Sequence, residues 1–339
     1  MDANRSLLQR LCYAILAAIW LLTCCMPAAA QPPGNRDKLL DTYRRNLARL
    51  DENSFGLPLL VQSSEQGEHS TVDVYGIFEY PFEEVVDTLR IPANWCDILF
   101  LHPNIKASTW QKRQNGWALT LYLGRKKYQA PEDTHPVLYN FRIASQQPDY
   151  LRIALTAASG PFGTRDHTLC FEALPLDKHR SFVHVRYAYS SSGAFRLAEQ
   201  AYFATLGRNK IGFTTTGTDT NGRPVYIKGP RAALERNAVR YFFAFQAFMD
   251  TLSVPRESRF AKRIHRWYAL TDAYRRQLYE MDREDYAATK TQAYKNQQWL
   301  QRNIETATPR SSRITNRILR YRAKSNVMLY TCLRRNFVI

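Results

Sequence analysis

Three groups of side chains have the types and spacing to do chemistry. Asp97, His102 and His167 supply a carboxylate and two imidazoles, the pieces of a general acid–base pair if one cavity brings them together. Tyr187 and Tyr189 stand on alternate positions of one apolar run, and Tyr241 sits in a second, helical run. A buried phenol needs a hydrogen-bond partner, and a bound molecule can supply it. Asn237 and Arg240 lie beside the helical run, where a guanidinium at a cavity mouth can clamp a carboxylate or phosphate with two parallel bonds. Each group also has a plainer role open to it. Asp97 can cap a helix or pair locally, His167 can end a strand, and Arg240 can pair with a structural acid. The chain has no nucleophile elbow, metal-ligand cluster or phosphate loop, so no catalytic residue, metal or cofactor is assigned.

The elements that must position these groups are legible from periodicity. Residues 37–50 carry leucines at helical spacing, and 71–78 alternate as a strand. Pro81 opens a short helix with Glu83 and Glu84 favourable at its start, Pro92 closes it, and a second short helix runs over 93–99. Six strands follow as hairpins: 105–113 with 117–123 around Asn115-Gly116, 137–144 with 150–157, and 168–174 with 181–189. Successive hairpins predict an antiparallel sheet. Gly160 and Gly163 flank Pro161-Phe162 in a tight loop, serving backbone geometry or a gate. A helix over 194–206 and a hairpin over 213–228 precede the longest helix, 230–252. Its Leu234, Ala238, Tyr241, Phe245, Phe248 and Leu252 form one apolar stripe that must lie on a sheet. Pro255 ends it, and 256–303 reads as two more helices.

Arg5 and Arg10 precede an uncharged run from Leu11 to Ala30 that closes on Pro27-Ala28-Ala29-Ala30. This is the layout of a secretory signal peptide cleaved after Ala30, with an uncleaved anchor as the alternative. The expected location is therefore the periplasm. Export changes the meaning of a formal net charge of +17. Nine of the 47 lysines and arginines fall in residues 301–339, against the single acid Glu305. In an exported protein such a tail meets anionic lipid rather than nucleic acid. Its Arg313, Arg317, Arg320, Arg322 and Lys324 beside Ile314, Ile318 and Tyr321 suit either a membrane-surface helix or a solvated tail. Of six cysteines, three leave with residues 1–30. Cys96, Cys170 and Cys332 are too few for a disulfide framework, although a Cys96–Cys170 bridge stays open.

A strand, two short helices, an antiparallel meander and a long helix make the order of a helix-grip fold. In it the chain resembles the START-like (SRPBCC, birch-pollen-allergen-like) superfamily over about residues 70–252. The likeness is sharpest to a secreted bacterial branch at Tyr80-Pro81-Phe82, Pro92-Ala93-Asn94-Trp95-Cys96-Asp97-Ile98, Leu121-Tyr122-Leu123-Gly124-Arg125, Gly160 to Asp166 and Arg236-Asn237-Ala238. The resemblance implies an α+β fold, with a curved antiparallel sheet wrapped round a long helix and extra helices at the C-terminal end. With the readings above, the chain is expected to comprise a signal peptide (1–30), an N-terminal helix and connector (31–69), the helix-grip domain (70–252), a helical extension (253–303) and a basic tail (304–339). The resemblance further implies a carrier of an apolar or amphipathic small molecule, such as a lipid, held between sheet and helix. The expected lining is Trp95, Leu121, Tyr122, Ile153, Val185, Tyr187, Tyr189, Asn237, Arg240, Tyr241 and Phe245. Two other classes stay open: a cyclase or hydrolase using Asp97 with a histidine, and a filled-core interaction module of the envelope.

Overall fold

The computed structural model describes residues 34–306 apart from Ser54. The signal segment 1–30, the tail from 307 onward and Cys332 lie outside the described residues. The chain divides into two units, residues 1–42 and residues 43–339. Helix α1 (Asn35–Arg45) begins in the first and ends in the second. It is followed by α2 (Leu47–Asp51), because Asn46 leaves helical dihedrals and breaks the single helix expected over 37–50.

The second unit is built on one eight-stranded antiparallel sheet. Its strands are β1 (Leu59–Gln66), β2 (His69–Phe78), β3 (Ile105–Arg113), β4 (Gly116–Leu123), β5 (His135–Gln147), β6 (Tyr150–Ser159), β7 (Arg165–Pro175) and β8 (Ser181–Ser190). They lie side by side in the order β1-β2-β8-β7-β6-β5-β4-β3. Every junction but one joins chain neighbours; β2 pairs with β8, Val74 opposite Val185, and so brings the first expected strand beside the last. The sequence reading does not contain β1. Only Leu59, Leu60 and Val61 of that strand are buried, and the polar remainder hides the alternation that reveals a strand.

Between β2 and β3 the short helices α3 (Phe82–Leu89) and α4 (Pro92–Phe100) form at the two prolines. After β8 come α5 (Gly193–Ala204), the small hairpin β9 (Ile211–Thr218) and β10 (Pro224–Lys228), and then the long helix α6 (Gly229–Met249). The chain closes with α7 (Arg256–Asp272), α8 (Arg275–Leu278) and α9 (Arg283–Thr306), three helices where two are expected.

Helix α6 lies directly on the concave face. A Cβ placed on Gly76 of β2 would come within 2.5 Å of the Phe242 ring, so only glycine admits this approach. Phe78 meets Phe242 at 5.3 Å, and Phe171 and Trp95 meet Phe245 at 4.9 and 5.0 Å. This end of the interior is filled. Unlike an ordinary amphipathic helix, α6 is buried on its far side too, so that Arg236 and Arg240 are 1% and 2% exposed. The covering comes from β9 and the extension: Trp267 Nε1 donates to the Arg240 carbonyl at 3.1 Å, and Phe243 stacks on Tyr274.

Helix α9 seals the β3 edge. Gln297 Oε1 accepts from the Ser108 amide (2.8 Å), and Gln301 bonds both the amide and the carbonyl of Trp110 (2.9 and 3.1 Å). Side-chain amides thus continue the ladder and blunt an edge that would otherwise pair with another strand. Lys290, buried in the same helix, donates to the carbonyls of Phe100, His102 and Ile105 where α4 ends.

Candidate ligand-binding site

At the other end of the concave face the packing changes character. Strand alternation puts Tyr187 and Tyr189 on the inner side with Val183 and Val185, yet both are only half-buried. Around them stand Tyr139 of β5, His167 of β7 and Tyr241 of α6. Tyr187 meets Tyr241 at 5.7 Å and Tyr189 at 5.8 Å; His167 stacks on Tyr189 at 5.6 Å and meets Tyr139 edge-on at 6.4 Å. Solvent reaches this inner face although rings surround it. This partly accessible patch, aromatic on its walls and polar at its hydroxyls, is the candidate tyrosine chamber.

The polar groups of the chamber are set by identifiable bonds. Thr164 donates its hydroxyl to the Pro161 carbonyl at 2.6 Å, so toward His167 Nε2, 2.9 Å away, it acts as acceptor. The proton therefore sits on His167 Nε2, and in the neutral ring Nδ1 accepts from the Tyr187 hydroxyl at 3.4 Å. Burial holds this imidazole down at about 4, against a weak opposing pull from Asp166. His102 is neutral for the same reason: its Nδ1 accepts from the Asn104 amide (3.2 Å), and Nε2 faces Asn237 Oδ1 (3.3 Å). It stacks on Tyr241 at 4.9 Å and so borders the chamber.

Glu199 of α5 is 3% exposed, and its Oε1 has no hydrogen-bond partner among the described residues. Burial, assisted by the charge of Glu65, raises its carboxyl to about 7, and its own charge acts on the phenols of Tyr187 and Tyr189. The sequence reading misses it, because a lone glutamate in an exposed-looking helix carries no signal.

Two segments adjoin these rings, α5 through Glu199 and the loop 160–164 through Thr164. Ser192 caps α5 by accepting from the Phe195 amide. The loop 160–164 holds Phe162 in the left-handed region (φ 56°), where its ring stacks on Phe195 at 6.5 Å. Gly160 is tied to this site by space, since a Cβ there would fall 2.1 Å from His167 Nε2. We expect Gly160→Ala to swing His167 out of place, costing about 1–3 kcal/mol by overpacking and breaking the His167–Tyr187 contact. The change in His167 ring shifts by nuclear magnetic resonance checks it. An undisturbed ring would contradict the assigned fit.

The other residues read from the sequence fall as follows. Leu121, Ile153 and Val185 are buried on the inner face, and Ile153 and Val185 flank Phe171 at the filled end. Trp95 and Phe245 lie there too, with Trp95 Nε1 donating to the Leu89 carbonyl at 2.7 Å. Tyr122 is turned away: it neighbours Leu121 on one strand, so alternation places it on the opposite face. Arg240 pairs with Glu280 (2.6 Å) and donates to Asn237 Oδ1 (3.2 Å), which puts it on the side of α6 that the extension covers.

The acid–base pair considered for Asp97 is not assembled. Asp97 binds Arg263 (3.1 Å) and Gln297 (3.3 Å), while His102 and His167 have the partners given above. Asp97 instead lines an open cleft of about 290 Å³ between α4, β3 and α9, with Ser108, Trp110 and Tyr294. Cys96 and Cys170 are buried free thiols, pushed up by burial and so unreactive.

No family model and no curated protein matches the chain. Among solved structures it is similar to human StAR-related lipid transfer protein 5, 11% identical with a TM-score of 0.28, covering 51% of this chain and 88% of that one. It is similar to an aromatase/cyclase of Streptomyces sp. R1128 at 12% identity and a TM-score of 0.30, covering 61% and 95%. A third is norcoclaurine synthase of Thalictrum flavum, at 10% and 0.29, covering 42% and 91%. At these scores nothing of those proteins passes to this chain. The strand order, the two short helices after β2 and the long helix on the concave face themselves make a helix-grip arrangement of the α+β class.

Proposed function

We propose that this protein binds one apolar or amphipathic small molecule, such as a lipid, in the tyrosine chamber. The observation that carries the reading is Tyr187 and Tyr189, which keep accessible surface on the concave face inside a ring of Tyr139, His167 and Tyr241. An apolar body would lie against the rings and a hydroxyl-bearing end against the phenols and Glu199. Entry of such a molecule would require α5 and the loop 160–164 to part. Leu197 and Leu206, 69% and 79% exposed on and after α5, give that cover an apolar outer surface suited to a bilayer or a micelle.

The test is a titration of the purified full chain with dansyl-undecanoic acid, read as a blue shift and gain in emission. Ala157, 2% exposed on the inner face beside His167, is the place to block the chamber. Binding that saturates at one site and falls at least about tenfold in Ala157→Trp supports the reading. Equal binding by both proteins would place the probe elsewhere and overturn it.

A second reading is favoured by Glu199, since a buried carboxyl near 7 with one oxygen unpartnered among the described residues is poised to move protons at neutral pH. An enzyme of the cyclase type would then work through Glu199 and the phenols rather than Asp97. Retention of ligand binding by Glu199→Gln with loss of turnover would identify it. Export to the periplasm, with contact to an anionic membrane surface through the basic tail, completes the proposal on sequence grounds. Amino-terminal sequencing should begin at Gln31, and removing residues 307–339 should weaken binding to phosphatidylglycerol vesicles.

A further inference from the structure

On the side of α6 away from the sheet, four cations converge. Arg240 Nη2 bonds Glu280 Oε1 (2.6 Å) and the Leu278 carbonyl (3.2 Å). Lys126, from the loop after β4, pairs with Glu280 Oε2, and Lys210 lies 3.7 Å from the same oxygen. Arg236, one helical turn before Arg240, is almost fully buried, yet Nη1 reaches only the Ile211 carbonyl at 3.5 Å. Among the described residues its Nε and Nη2 have no partner, nor does Arg240 Nε. The second carboxylate nearby, Glu235, is committed to Ser63, to the amides of Phe213 and Thr214 and to the Thr214 hydroxyl. Among the described residues, Glu280 alone is left to answer these cations.

The electrostatics record the imbalance. Burial would raise Glu280, but Arg240, Lys126 and Lys210 outweigh it and hold the carboxyl at about 2. Burial and then Arg240 lower Arg236 to about 10, and burial lowers Lys126 to about 7 despite Glu280. Buried guanidinium donors left without acceptors are costly, and a planar fork of N–H groups is matched by tetrahedral oxyanions. The side chains of Lys126 and Lys210 are 22% and 29% exposed, so the cluster opens to solvent at their end.

We infer that Arg236, Arg240, Lys126 and Lys210 form a binding site for a phosphate group, with Arg236 the principal donor. The site goes beyond the tyrosine chamber and does not rest on it: apart from the bond of Arg240 to Asn237, the hydrogen bonds and ion pairs of these side chains are with Ile211 and residues 278–280. The phosphate group is either a free anion or the headgroup of an amphipathic molecule.

The experiment measures the melting temperature of the full chain against added sodium phosphate, with sodium chloride at matched ionic strength and pH as reference. A parallel arm uses dihexanoyl phosphatidic acid below its micelle concentration. A saturable rise in either arm supports the site; a rise with phosphate makes the free anion sufficient, and a rise with the lipid alone assigns a headgroup. Arg236→Met should lose the response while melting no lower than the parent without anion, because it removes a buried charge that the fold does not compensate. Lys210→Met, on a partly exposed side chain, should keep the fold and weaken phosphate binding about tenfold. No rise in either arm, or parent-like responses in both variants, would overturn the inference. Neither result bears on dansyl-undecanoic acid binding, so the two readings fail separately.

Discussion

Replacing Phe245 by alanine is expected to lower folding stability by about 3–5 kcal/mol, the range for deleting a buried aromatic ring. Phe245 is fully buried at the point where α6 meets the sheet, between Trp95 and Phe171. Its loss removes the edge-to-face contact with Trp95 and leaves a void that two fixed strands and a 21-residue helix cannot close. The denaturant midpoint of the variant should fall without a change in slope. Leu197→Ala, on the exposed face of α5, serves as reference and should change stability by no more than about 0.5 kcal/mol. A loss below about 1.5 kcal/mol at Phe245 would mean that the filled end is not filled and that the chamber runs the length of the helix.

The second large effect lies on the opposite face of the sheet. His184 sits between two carboxylates, with Nε2 2.7 Å from Asp73 and Nδ1 2.7 Å from Glu172, and stacks on Tyr75 at 4.4 Å. Burial alone would lower its pKa, but the bonds to Asp73 and Glu172 outweigh burial and raise it above 6.5. Burial would likewise raise Asp73 and Glu172, yet His184 pulls both below their ordinary values of 3.8 and 4.5. The histidine's contribution is complete below 6.5 and is lost as pH rises through its raised folded value. That of the carboxylates is complete above 4.5 and is lost as pH falls through their lowered folded values. The cluster therefore stabilises most between about pH 4.5 and 6.5. His184→Leu leaves both carboxylates buried, with Arg152 and Arg186 as partial compensation, and should cost about 3–5 kcal/mol at pH 6. The deficit should shrink toward pH 3 and toward pH 9. A deficit that stays flat across that range would show that the imidazole is not charged in the fold.

Much of the sheet was legible because its devices are local. Asn115-Gly116 marks the β3–β4 hairpin, and alternation in 181–189 places Tyr187 and Tyr189 on one face with Val183 and Val185. The stripe on α6 was legible for the same reason. What escaped depends on partners distant in sequence. Strand β1 is apolar over only three residues, and its place is fixed by pairing with β2 and by Arg231 donating to the Ser63 carbonyl. Arg240 was expected at the chamber because the helical wheel puts it beside Tyr241, but the cover laid over it by residues 267–280 cannot be inferred from α6 itself. Tyr139 could have been found from the alternation of Val137, Tyr139 and Phe141 across β5. Glu199 could not, since nothing in its neighbourhood predicts that the helix face carrying it turns inward.

The central claim is that the tyrosine end of the grip holds one small molecule. Its most direct test is native mass spectrometry of the purified full chain after incubation with a total lipid extract, with Ala157→Trp in parallel. A single added mass per chain is expected, released on denaturation as an apolar or amphipathic compound, and absent from Ala157→Trp protein that is itself folded. Only the bare polypeptide mass, from protein that is folded by near-ultraviolet circular dichroism, would contradict it.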